Sequence, residues 1–410
     1  MPPDTSRAPT WDSLIADVRS GPGSDARHNV GAWAMDRVRA ALGETWPQRW
    51  HARHGRLPQF VADAANNALA YAQLVETGLR LERLAGTLRL KSLTNEWSHD
   101  PQEIRLLHVR LQLEVAALAS SLGASVEFER PIELPLTRRP ADVVISAEGE
   151  QLIAECFCVY TDDYTADALA YDRNLGFRLH MMAIDQRLSG HWDVRLPPAE
   201  TAQPLAEVEQ AVAQVLADGV ARDVTRPGVA LHFAPWSAPD GTEVTLEGPG
   251  TEAAGWRRAR GIINGKAQDW VGPPVPVWLR FDLLDGTWIF SDWAQKSLPQ
   301  KTEWMAALVA EAVAGTGVAG AVVSAGPAID PKAPEEEYSG TGGIVGLRTR
   351  LDPLRFRETI IVPLSSAGAR HKQLWRSIYE AETQWLKDSL LSASLSSFEE
   401  IERGWSVPSD

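Results

Sequence analysis

The feature that most constrains this chain is a change of hydrophobic rhythm near Pro101. Before it, Trp11 to Val18, Val30 to Leu42 and Phe60 to Leu90 carry apolar residues three and four apart, the spacing of helices with one buried face. After it, helix-spaced segments alternate with short β-branched runs. The spacing predicts a helix over 101–122, strands near 125–130, 141–146 and 151–160, a helix over 164–189 and a strand at 191–196. A helix at 203–218, a strand at 228–235, a basic helix over 251–270, the strand Val275–Asp282, a helix at 301–314 and a strand at 318–324 follow. Such alternation favours a sheet covered by helices on both faces, an α/β fold. The chain then divides into a helical N-terminal domain (1–100), an α/β core (101–330) and an extension (331–410). The segment Pro327–Gly343, rich in Pro, Gly and Glu, reads as an exposed loop, and a strand at 358–364 and a long amphipathic helix near 368–400 close the chain.

Composition bounds the chemistry. A chain of 410 residues with 44% apolar types buries a core that needs neither metal nor disulfide to fold. The two cysteines, Cys156 and Cys158, lie too far apart in an extended strand to bridge without distortion and read as core packing. The first residues show no apolar run behind a positive end, so no secretory signal is expected, and the reading is a reduced, cytoplasmic protein. Met305 to Ile329 holds only Glu311 as a charge, but Gly315-Thr316-Gly317 cuts it into a helix-like half and a Val-rich half, each too short for a bilayer. The net charge of −14 argues against non-specific coating of nucleic acid, which needs Lys and Arg to neutralise phosphates; a local basic surface still suffices for an enzyme. The chain is tryptophan-rich, with 16 Trp, and Trp33, Trp46 and Trp50 read as helix packing. His51 and His54 lack a nearby acid or cysteine that would make them a metal pair.

The informative residues lie between 104 and 160. Glu114 sits on the stripe of Leu107, Leu111 and Leu118, where a carboxylate is costly unless paired or coordinated. Asp142 opens the β-branched run of Arg139-Pro-Ala-Asp-Val-Val-Ile. Thirteen residues later, Glu155 lies inside Leu152-Ile-Ala-Glu-Cys-Phe-Cys-Val-Tyr, on the face of Ile153 and Phe157. Clustered carboxylates of this kind suit hard cations such as Mg²⁺, which polarise phosphoryl groups and activate water.

The order of a helix with Glu114, a strand, the Pro-x-Asp strand with Asp142 and a strand with Glu155 resembles the PD-(D/E)XK nuclease-like superfamily, the restriction-endonuclease-like fold. The resemblance covers about 104–325 and implies a mixed central sheet flanked by helices, with phosphodiester hydrolysis of nucleic acid. It assigns Asp142 and Glu155 to the Mg²⁺ ion, for which Mn²⁺ can substitute, and gives Glu114 an assisting role. The position where that family carries its lysine is Phe157, which can neither donate a hydrogen bond nor stabilise negative charge. No lysine occurs between Lys91 and Lys266, so Lys266 is the first downstream candidate for a relocated one. It shares a helix face with Ala259, Ile263 and Trp270. Arg257, Arg258 and Arg260 on the same helix are candidates for phosphate contacts.

Each residue also has a plain structural reading. Arg138 or Arg139 could satisfy Asp142 and Glu155, an arginine could pair with a buried Glu114, and Lys266 could snorkel. The three arginines could form a solvated face. Two functions are therefore expected: a divergent Mg²⁺-dependent nuclease acting on nucleic acid, or a catalytically inactive nuclease-fold module. The second would bind a protein partner or a second copy of the chain through the Trp-rich helices and the C-terminal helix. A membrane is not among the expected partners.

Overall fold

A computed structural model describes residues 8–99, 103–159, 190–195, 222–226, 229–235, 242–247, 252–283, 296–330, 332–353 and 355–392. The helices are α1 (Trp11–Ser20), α2 (Asp25–Leu42), α3 (Trp46–His54), α4 (Gln59–Ala62), α5 (Ala68–Arg83), α6 (Leu90–His99), α7 (Glu103–Ser121), α8 (Glu252–Gln268), α9 (Leu298–Ala312), α10 (Ser366–Glu380) and α11 (Glu382–Ser392). The strands are β1 (Ser125–Glu133), β2 (Arg138–Ala147), β3 (Glu150–Val159), β4 (Gly190–Arg195), β5 (Arg222–Arg226), β6 (Val229–Pro235), β7 (Thr242–Glu247), β8 (Val277–Leu283), β9 (Val318–Ile329), β10 (Glu336–Ser339), β11 (Val345–Arg350) and β12 (Arg355–Pro363). They form two compact units. One comprises 1–159, 262–283 and 297–410, and the other 160–261 and 284–296.

The larger unit is built on a mixed sheet of eight strands, ordered β1-β2-β3-β8-β9-β12-β11-β10. β1, β2 and β3 form an antiparallel meander; β3, β8 and β9 run parallel; β12, β11 and β10 return antiparallel. The parallel centre is buried and mostly apolar: β8 is buried at six of its seven residues, Arg280 among them. Gly320 permits a close approach there, because a Cβ at that position would lie 2.6 Å from the Trp278 ring. Among the helices of the first hundred residues, Trp11 stacks on Trp46 at 5.7 Å and Trp50 on His54 at 4.3 Å. Packing thus accounts for these tryptophans, and His54 is part of it. Both cysteines are free and buried.

The smaller unit holds a four-stranded sheet, ordered β5-β6-β4-β7. The strands expected at 191–196 and 228–235 correspond to β4 and β6, whereas β5 and β7 went unread. The helices expected at 164–189 and 203–218 lie outside the described residues.

Three differences from the sequence reading have physical causes. The Pro327–Gly343 loop is partly strand: β9 runs on to Ile329, with Pro327 opposite Arg357 beside a register shift, where a missing N–H costs no regular ladder bond. β10 within that segment pairs with β11. The long terminal helix is broken after Glu380, α11 beginning at Glu382. Among the described residues no helix is long and apolar enough to cross a membrane, and the Met305–Ile329 stretch is indeed the end of α9, a turn and β9.

Candidate active site

The ladder between β2 and β3 ends at Val143 and Ala154, one step before Asp142 and Glu155. Continuing that register sets the two acids opposite each other where the strands part. Parting leaves backbone amides without ladder partners, and the Cys156 N–H donates instead to Asp142 Oδ2 at 2.7 Å. The Asp142 side chain is thereby fixed at the mouth of the opening.

Lys266 reaches the same place from α8. Ile263, Ala267 and Trp270 are fully buried, and Lys266 lies at the edge of their stripe with its side chain one-third exposed. Its Nζ donates to Glu155 Oε1 at 3.2 Å and lies 5.9 Å from the centre of the Phe157 ring. Phe157 is itself fully buried and stacks on Phe281 at 5.0 Å. An aromatic residue on β3 thus supports an ammonium that arrives from elsewhere in the sequence. Arg139 Nη2 also donates to Glu155 Oε1, at 2.8 Å, while its Nη1 pairs with Asp269 at 2.7 Å and its plane covers Trp270 at 4.5 Å. Arg138 pairs with Glu133 instead.

Burial and mutual repulsion set the electrostatics. Glu155, 1% exposed, is pushed up to about 7 by desolvation and by Asp142, against the pull of Lys266 and Arg139. Asp142 is pushed up to about 6, chiefly by desolvation; Lys266 opposes this and Glu129 adds to it. Glu155 Oε2 is buried with no hydrogen-bond partner. A pair of oxygen donors with raised proton affinity and an unpartnered buried oxygen fits a hard dication, because the ion would relieve both the repulsion and the unmet acceptor. Among the described residues no set of three or more His, Cys, Asp or Glu side chains is already gathered at metal-ligand spacing. Two carboxylates are a donor number that Mg²⁺ accepts, its remaining positions being filled by water or phosphate.

Glu114 is not brought to this site. Register pairs Cys156 with Arg280, whose Nη2 donates to Glu114 Oε1 at 3.0 Å, so α7 covers the side of β3 opposite to Glu155. Glu114 accepts two further bonds from Arg357, at 2.7 and 2.9 Å, and one from Arg80 at 3.0 Å. These cations hold its carboxylate far below the usual range despite the desolvation that opposes them. The expected assisting role in catalysis is corrected on these grounds: three guanidiniums consume the acceptor capacity of Glu114, and it serves as the anionic centre of a buried charge network. Arg355 joins that network through Glu76 at 2.8 Å, and Glu382 lies 3.1 Å from Arg357. On α8, Arg260 is exposed; the side chains of Arg257 and Arg258 lie outside the described residues.

Sequence reasoning missed Glu129 beside Asp142, and it missed the half-buried His108. Glu129 on β1 lies between the register pairs Phe128–Val143 and Arg130–Ala141, hence opposite Asp142. His108 on α7 bonds the Cys158 backbone and is held down to about 4 by burial together with Lys266 and Arg105. Alternation within Val126-Glu-Phe-Glu-Arg hinted at Glu129, but only strand pairing turns that hint into proximity. His108 left no such signal. Comparison of the chain with family models, with curated proteins and with solved structures gives no match.

Proposed function

We propose that this protein is a divergent member of the PD-(D/E)XK nuclease-like superfamily that hydrolyses phosphodiester bonds of nucleic acid with Mg²⁺. The observation that carries the reading is the Lys266 ammonium 3.2 Å from Glu155, delivered by a helix to the neighbourhood of an acid pair whose own strand lacks a lysine. The order of elements supports it: a helix, a three-stranded antiparallel meander, a helix and a strand parallel to the third. Asp142 and Glu155 would hold the ion, which supplies polarisation of a phosphoryl oxygen and a lowered pKa for water. The chain's own groups do the rest. Lys266 stabilises negative charge developing on a non-bridging oxygen, the role that Phe157 cannot take. Phe157 and Trp270 keep bulk water from the stems of Lys266 and Arg139, which strengthens both charges. The Cys156 N–H prevents Asp142 from swinging out of the opening.

The test is cleavage of single- and double-stranded DNA and RNA in Mg²⁺ or Mn²⁺ by the wild type and by Asp142→Ala. Cleavage abolished by the substitution supports the proposal, whereas equal cleavage by both proteins means contamination. One observation favours a second reading. Arg139 already bridges Glu155 to Asp269, so Glu155 is engaged in ion pairs in the present arrangement. If neither protein cleaves any polymer, the fold is better read as a binding or assembly module for a protein partner or a second copy of the chain.

A further inference from the structure

The resemblance that suggests a nuclease calls for a third acid, and the arginines around Glu114 disqualify the residue first assigned to it. Another carboxylate occupies a suitable place. Strand register sets Glu129 on β1 opposite Asp142 on β2, and its continuation past Ala154 sets Asp142 opposite Glu155 on β3. Proximity of three like charges is by itself a cost. Two further observations give that cost a use. On the outer members of the row, Glu129 Oε1 and Glu155 Oε2 are both buried without a hydrogen-bond partner, and Glu155 is almost wholly enclosed. The Glu129 backbone is also left-handed, with φ at +49°, a conformation that a glutamate rarely adopts and that is costly without a reason to hold it. The Arg89 guanidinium braces it by donating to the Glu129 carbonyl. Regular strand geometry at this step would add the Glu129–Asp142 rung that the β1–β2 ladder omits.

We propose that Glu129 is the third carboxylate of the site and holds a divalent cation jointly with Asp142, the middle acid of the row. This inference rests on the metal-dependent reading above and assigns that reading a ligand from β1 instead of the helix.

The test is Mn²⁺ binding to the full chain, measured by isothermal titration calorimetry on wild type, Glu129→Gln, Glu129→Asn, Asp142→Asn and Glu96→Gln. Loss of a ligand should weaken Mn²⁺ binding about tenfold or more in both Glu129 variants. The Asn variant tolerates the left-handed backbone, so its agreement with Gln separates lost ligation from lost folding. Glu96 shares the electrostatic neighbourhood of Glu129 but is engaged by Arg105, so Glu96→Gln should cost far less, and its effect should fade as salt is raised. Wild-type affinity in the Glu129 variants, or an equal loss in Glu96→Gln, overturns the assignment and leaves the Asp142–Glu155 reading intact. A wild type that binds no Mn²⁺, or an Asp142→Asn that binds as tightly as wild type, overturns both.

Discussion

Replacing Glu114 by glutamine separates a structural acid from a chemical one. The wild-type side chain is 5% exposed and receives bonds from Arg80, Arg280 and Arg357 at 2.7–3.0 Å. Glutamine keeps the shape but presents an NH₂ where a guanidinium donates, and it removes the negative charge that those cations share. Breaking a buried ion pair from one side costs about 3–5 kcal/mol, because the surviving charge is left desolvated. At about 2.1 cal/mol/K of unfolding entropy per residue, a chain of this length should lose roughly 3–6 °C in Tm. Chemical denaturation and calorimetry would measure both. The pH dependence has a definite sign. The folded carboxylate is held below its ordinary value, so its stabilisation is present above the unfolded pKa and is lost as pH falls through the folded one. The deficit of Glu114→Gln should therefore be constant above about pH 5 and shrink below about pH 4. Arg357→Met supplies a cycle: the double variant should cost less than the sum of the singles, with a coupling of about 1–3 kcal/mol. A stability within about 0.5 kcal/mol of wild type would refute the argument. So would a Glu114→Gln protein that melts normally yet loses Mn²⁺ binding.

Three shorter tests address the acid pair and its surroundings. Glu155 has a raised pKa, so its ionisation destabilises the fold as pH rises from the ordinary carboxylate range through about 7. Glu155→Gln fixes the neutral form, and its melting temperature should exceed that of wild type near pH 8 but match it near pH 4.5; an offset independent of pH would contradict this. Phe157→Lys restores a lysine at the family position but buries a charge against Phe281, so it should lose about 3 kcal/mol or more in denaturant titrations without gaining activity. Unchanged stability would show that the site has room and water to spare. Cys156 and Cys158 are pushed well above the usual thiol range, chiefly by burial, and should resist a disulfide reagent until the chain unfolds. Rapid reaction of either thiol in the native protein would mean that β3 opens.

What was legible in the sequence was whatever local pattern controls. The α/β alternation, the paired strands carrying Asp142 and Glu155, and the anomaly of Glu114 on an apolar stripe all follow from side-chain periodicity and from the cost of burying charge. Scarcity helped with Lys266, because an interval without lysine left one downstream candidate. The fold decided what each anomaly was for. Glu114 and Glu155 look equally costly in sequence, yet one lies among arginines that include Arg357, 243 residues away, and the other faces a lysine 111 residues downstream. Glu129 became a neighbour of Asp142 only through register, and β11 and β10 joined the sheet only by pairing in turn beyond β12. Periodicity reports which face a side chain takes within its own element; which charges share that face depends on the packing of distant elements, which surrounds Glu114 with three arginines and gives Glu155 Arg139 and Lys266.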